Sequence, residues 1–413
     1  MKKIVSLLVV AVMLCCMLPM SALAADQTLT LWMCSWWADA LPKIIERFES
    51  DPANAGYKLK IETFPINGYL DKVTSAILGG NAADIIDVDV TFLGSLLRRN
   101  LLTEFTAEDL ADVDVSDFVA GAWNAGVYNG KVYAMPNRSS TAAFIYNKDL
   151  FDQAGVAYPT DDWTMDDFLA ICQQLRAGLA DDQYPYVAAV SASDPSNFNT
   201  TFDFMYWAAG AEYMNDEMTE MTFNTPEAVK AIQEYLDLFT NKYVPEGAIN
   251  YTLTNDAVPL FCEGKIAMMP NTSSWTTTFA ESGVNYGVCL TPDKNNGAGG
   301  YTFVVPVTAA NPEGGKKFVK WFTQSDVLGE LMIRTPSRIS TNQNYEPWNN
   351  EENAIFNKAS AYSRTTPLIP EWNEIRLFMI GEMQKGIMGQ MTAQEIADSV
   401  TKYGNELLAE AAE

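Results

Sequence analysis

Two hydrophobic rhythms alternate over the first hundred residues of the chain. "TLTLWM" at 28–33 and "YKLKIETF" at 57–64 alternate polar and apolar positions with period two, the mark of a strand with one buried face. Between them, "ADALPKIIERFES" places Leu41, Ile44, Ile45 and Phe48 at helical spacing. "NGYLDKVTSAILGG" predicts a second helix, closed by Gly79-Gly80, and "ADIIDVDV" a third strand apolar enough to be central. Strand–helix–strand–helix–strand predicts an α/β unit with a largely parallel sheet. From about Pro159 the helical period takes over. "TMDDFLAICQQL" opens on Thr164 as N-cap with acidic residues in its first turn, and "TPEAVKAIQEYLDLFTN" on Thr225 as cap with Pro226 at the first helical position. Short strands return at "KIAMMP", where Pro270 is expected to end the strand, and at "YGVCLTP" and "YTFVVPV". A helix in "NPEGGKKFVKWFTQ" follows, and the C-terminal part is helical beyond a polar, Asn-rich link at 341–353.

The first residues break this pattern. "MKKIVSLLVVAVMLCCMLPMSALAAD" joins two lysines to a short apolar run and an Ala-Leu-Ala site, which reads as a secretory signal peptide over residues 1–24. A lipid anchor at Cys15 or Cys16 is the competing reading, disfavoured because Leu14 stands where a small side chain is usual. The remaining length suits two domains, and with 48% hydrophobic and 12% aromatic residues it can bury a sizeable core. A formal net charge of −25 repels phosphate backbones, so nucleic acid is excluded as a partner. The chain has no histidine, which rules out Ser-His-Asp and Cys-His devices and the usual zinc sites. No metal or cofactor is expected. Cys34, Cys172, Cys262 and Cys289 fit no C-x-x-C pattern; disulfides and buried free thiols both stay open.

Candidate chemistry gathers just past strand ends, where α/β sheets hold ligands. There the chain offers Trp36, the pair Asp87 and Asp89 on one strand face, Arg138 with Ser140, Trp275 after "KIAMMPNTSS", and Tyr301 after "NNGAGG". Each alone also has a structural reading: tryptophan as core, the aspartates as caps, Arg138 as partner to a surface carboxylate. Together they pair flat apolar faces with carboxylate, guanidinium and hydroxyl groups. That mixture suits a pyranose ring, whose C–H face stacks on Trp or Tyr while its hydroxyls seek planar polar partners. A glycosidase pair at Asp87 and Asp89, or a polyamine held by the same carboxylates and tryptophans, are the rival readings.

Several segments resemble a known family. "GGNAADIIDVD", "NGKVYAMP" with "FIYNKDLFDQAGVAYPTDDWTMDDFL", "FCEGKIAMMPNTSSW" and "GGYTFVVPVTAANPEGGKKFVKWFTQSDV" are similar, in order, to the extracellular solute-binding proteins of ABC importers, in particular the carbohydrate-binding, maltodextrin-binding-protein-like group. The resemblance implies an α/β fold of two lobes joined by three crossovers near 136–141, 301–307 and 334–340, with the ligand in the cleft between them. Lobe one would comprise 25–136 and 303–335, and lobe two 137–302 and 336–413. It implies ligand contacts at Trp36, Asp87, Asp89, Arg138, Ser140, Trp275 and Tyr301, with Tyr69, Asn199, Trp207, Arg338 and Trp372 as secondary candidates. The implied role is non-enzymatic: an exported monomer that captures a carbohydrate and delivers it to ABC transporter permease subunits. Trp36-Trp37 and Val88 depart from the maltodextrin-binding pattern, so maltodextrin-like binding is not expected.

Overall fold

The computed structural model describes residues 27–66 and 68–412; the expected signal peptide, with Cys15 and Cys16, lies outside the described residues. Alternation in the N-terminal part produces parallel strands β1 (Gln27–Cys34), β2 (Tyr57–Phe64) and β3 (Ile85–Asp89). They are linked by helices α1 (Leu41–Ser50) and α2 (Tyr69–Leu78), whose apolar faces cover the sheet. The central strand is β4 (Ala134–Asn147), fourteen residues long and almost wholly buried. Its first half pairs with β8 (Asn296–Val304), and its second half pairs with β6 (Ile266–Thr272) and β7 (Tyr286–Cys289). β5 (Tyr184–Tyr186) lies beyond β6 and a short β9 (Ser363–Arg364) beside β8, giving the order β2-β1-β3-β8-β4-β6-β5.

The helices between and after these strands follow their caps. α3 (Met165–Gly178) begins at a full capping box between Thr164 and Asp167, and α5 (Pro226–Thr240) at Thr225. α4 (Pro195–Ala208), α6 (Pro312–Phe322), α7 (Trp372–Ile387) and α8 (Ala393–Ala412) complete the longer helices. One expectation is corrected: β6 runs through Pro270 to Thr272. Its neighbour β5 has already ended opposite Met268, and an open edge is where a residue without an N–H is tolerated.

The apolar side chains form two separate sets of cores. One set draws its buried residues from 29–135 and 301–348, around Phe48, Phe318 and Trp321 on one side of the sheet and Leu93 and Leu96 on the other. The second draws on 143–290 and 356–408, with a dense aromatic group of Phe144, Phe168, Tyr186 and Phe204. Trp348 packs in the first set. Between the two sets, backbone bonds tie β4 to the segment 335–337: Ser139 donates to the Thr335 carbonyl at 3.1 Å and Ser337 to that of Asn137 at 3.2 Å. All four described cysteines are separate thiols.

Candidate ligand-binding site

Three neighbouring strands bring one row of side chains together. Tyr301 on β8 lies opposite Asp89 at the end of β3 and opposite Arg138 on β4, so the three share a sheet face. β8 can lie this close only because residue 300 is glycine: its φ is +149°, and a Cβ there would meet the Arg138 carbonyl oxygen at 2.3 Å. The row forms one wall of a cavity of about 240 Å³. Across from it stand Asn199 and Asp203 of α4, Arg376 of α7, Asn271 of β6 and Trp275 after it, and Arg364 of β9. Three larger hollows lie elsewhere, and in one of them Lys316 and Lys320 are already paired with Asp109 and Asp112. The one beside Phe118 and Asn342 has no carboxylate, and the guanidinium of the one beside Tyr184, Arg176, is already taken by three backbone carbonyls.

The polar groups of the cavity are unevenly matched. Asp203 Oδ1 accepts from Asn199 Nδ2 at 2.9 Å and from the Tyr213 hydroxyl at 2.5 Å. Burial pushes the Asp203 carboxyl up to about 7, against the pull of those two donors and of the Arg376 and Arg364 charges. Asp89 Oδ1 accepts from the backbone N–H and the hydroxyl of Thr91 at 2.9 and 2.7 Å. Arg364 is paired with Glu212 and lies over the Trp207 ring. Arg376 is different. It is 6% exposed, makes no ion pair among the described residues, and donates only to the amide oxygens of Asn199 at 3.2 Å and Asn373 at 2.8 Å. Burial lowers its pKa, opposed by Asp89, Asp203 and Asp194. Arg138 likewise has no carboxylate within ion-pair distance; its guanidinium lies 5.3 Å from the centre of the Tyr301 ring.

Of the twelve residues named from sequence, the structure gathers Asp89, Arg138, Ser140, Asn199, Trp275 and Tyr301 around this cavity. It places the other six elsewhere. Asp87 sits one residue pair deeper in the sheet with no exposure, accepting from Trp37 Nε1 at 3.1 Å and Asn137 Nδ2 at 2.7 Å; burial pushes it up to about 7. Trp36 stands edge-on behind Tyr301 at 5.1 Å, a support for the wall. Tyr69 is buried and stacks on Phe64, Trp207 is buried beneath Arg364, and Trp372 is buried edge-on to Tyr213. Arg338 pairs with Asp117 at 3.0 Å and covers the Phe118 ring, tying the 335–337 segment to the first core. Sequence reading missed Asp203, a lone charge in the apolar helical run "FDFMYW", and Arg376, in the helical run "WNEIRLF". The Asn199–Asp203 spacing of four, which aligns two polar groups on one helix face, was the available signal.

Comparisons with known proteins fit this geometry. A family model for bacterial extracellular solute-binding proteins matches residues 35–327. A maltooligosaccharide ABC transporter solute-binding lipoprotein of Streptococcus pneumoniae is 24% identical over 394 residues, covering 90% of this chain and 87% of its own. The solved sugar-binding protein MalE from Xanthomonas citri aligns with a TM-score of 0.83 at 17% identity, over 94% of this chain and 98% of its own. A substrate-binding protein of Listeria monocytogenes, solved in complex with cycloalternan, aligns with a TM-score of 0.77 at 24% identity, over 93% of this chain and 100% of its own. The architecture is thus that of the two-lobe sugar-binding proteins, and the family and these matches are binding proteins rather than enzymes.

Proposed function

We propose, from the premise that this chain belongs to the bacterial extracellular solute-binding proteins, that it captures a mono- or oligosaccharide in the cavity walled by Asp89, Tyr301, Arg138, Asn199 and Trp275, and delivers it to the permease subunits of an ABC transporter. One observation carries the reading. Two aromatic faces, Trp275 and Tyr301, border the same small space as carboxylates, amides, hydroxyls and guanidinium groups. A sugar ring presents the matching surfaces, an apolar face and a rim of hydroxyls. The two sets of cores act as lobes, with the segments around Ser139 and Tyr301 as two of the crossings. Because Trp348 packs with the first core, the last crossing lies beyond it. The lobes close when a ligand touches both, since only the closed state holds all the contacts. The protein acts outside the cytoplasmic membrane as a monomer, and it performs no chemistry on its ligand; Asp87, one half of a conceivable acid–base pair, is buried below the cavity wall.

The test is a calorimetric and thermal-shift titration of the purified protein against mono- and oligosaccharides, with spermidine as the non-sugar comparison. A sugar at 100 times its Kd should add about 2.7 kcal/mol of stability. The sugar should be recovered intact after incubation. Binding of spermidine in preference to every sugar overturns the ligand class, and release of product dependent on Asp89 overturns the receptor role.

A further inference from the structure

We propose that the solute of this cavity carries an anionic group, so that within the sugar reading, on which this inference rests, the ligand is an acidic sugar: a uronic acid or a short oligosaccharide containing one. The buried side-chain atoms of the cavity wall that lack a partner are all donors: Arg138 Nε, Arg376 Nε and Asn271 Nδ2. Each carboxylate of the same wall has donors on one oxygen, two side chains at Asp203 Oδ1 and both groups of Thr91 at Asp89 Oδ1. What the enclosed guanidinium and amide groups lack is acceptors.

Charge points the same way. Arg364 has its carboxylate partner in Glu212, but among the described residues Arg376 and Arg138 have none within ion-pair distance. A guanidinium nine-tenths buried and facing only amide oxygens is costly to hold, and a carboxylate accepting from its planar fork offsets that cost better than a hydroxyl can. Arg334 adds a further cation close to Arg138; burial and the Arg138 charge together hold its pKa down. The near-neutral Asp203 carboxyl can take up a proton as an anion enters and so need not repel it. The carboxylates nearest Arg376, namely Asp89, Asp203 and Asp194, stand outside ion-pair distance and leave its Nε unpartnered. A cationic ligand such as a polyamine would add donors and leave the enclosed Arg376 guanidinium without an anion.

The experiment compares acid and neutral sugars of matched stereochemistry on the purified protein: D-galacturonate and D-glucuronate with their di- and trimers, against D-galactose, D-glucose and the corresponding neutral oligomers. The acidic member of at least one pair is expected to bind about tenfold or more tighter than its neutral counterpart, the scale of one charge-assisted contact, and to weaken as salt rises. Arg376→Gln should abolish most of that preference, the acidic sugar losing far more affinity than its neutral counterpart. Arg138→Gln provides the same readout should Arg376→Gln fail to fold, which circular dichroism would reveal. A neutral sugar that binds as tightly as its acidic counterpart overturns this inference and leaves the sugar reading intact. Binding of spermidine alone, or of no sugar in either series, overturns both.

Discussion

Arg376 and Asp203 show how single side chains divide the work of the site. Each lies on a helix, each is almost fully enclosed, and Asn199 bridges them by donating to one and accepting from the other. Asp203 and Asp87 are both pushed up to about 7 by burial. A carboxyl raised in the folded state binds its proton more tightly there than in the unfolded chain, so its stabilising effect is complete below about pH 4 and fades as pH rises through about 7. Stability in urea should therefore fall between pH 5 and pH 8. Asp203→Asn, which keeps the shape and removes the titration, should flatten that slope; a slope unchanged in this variant would show that Asp203 is not the responsible group. The facing groups are Tyr213, Asn199, Arg376 and Arg364. Trp275, half-buried against the core that includes Phe261 and Phe279, is the expected stacking platform. Trp275→Ala should cost binding about 2 kcal/mol or more, while the unfolding midpoint of the free protein moves less. An equal loss in both would make it a core residue. The row of Asp89, Arg138 and Tyr301 was legible because strand ends mark ligand positions; Asp203 and Arg376 were not, because a charge in a helix does not say which way that face turns.

At the scale of elements, local signals set the helix starts and strand periods. The capping box at Thr164 is one case, and Thr164→Ala should cost about 1 kcal/mol in a denaturant titration with no effect on ligand affinity. The approach of β8 to β4 is another matter. Gly300 occupies a backbone conformation that other residues avoid, with the Arg138 carbonyl where a Cβ would go. Gly300→Ala is expected to destabilise the protein by more than about 1 kcal/mol and to weaken ligand binding as well, because it separates Tyr301 from Arg138. Retained affinity would mean that the strand row does not position the ligand contacts. Pro270 read as a strand end because proline usually is one; only the early end of β5 leaves it an open edge inside β6.

At the scale of the whole molecule, the two sets of cores share no buried residue, and β4 belongs to both through its two halves. Closure about this strand should show as a decrease in radius of gyration by X-ray scattering when saturating ligand is added. An unchanged radius would leave the cavity as a pre-formed pocket. Trp348 marks where the sequence-based division and the packing part company. Its sequence neighbourhood is polar and Asn-rich, which reads as a link, yet its side chain is buried as part of the first core.

By itself the sequence determined the order and type of the main elements, the absence of histidine chemistry, and the strand ends on which one wall of the site is built. These depend on local periodicity, capping and residue type, all of which are written in consecutive positions. Tertiary structure alone decided which of two neighbouring aspartates meets the cavity, since Asp87 and Asp89 share a strand face but differ in depth. It alone brought α4 and α7 across from the strand row and left the guanidinium groups of Arg376 and Arg138 without carboxylate partners. Depth, facing and the matching of donors to acceptors depend on contacts between residues far apart in the chain, and no local pattern encodes those.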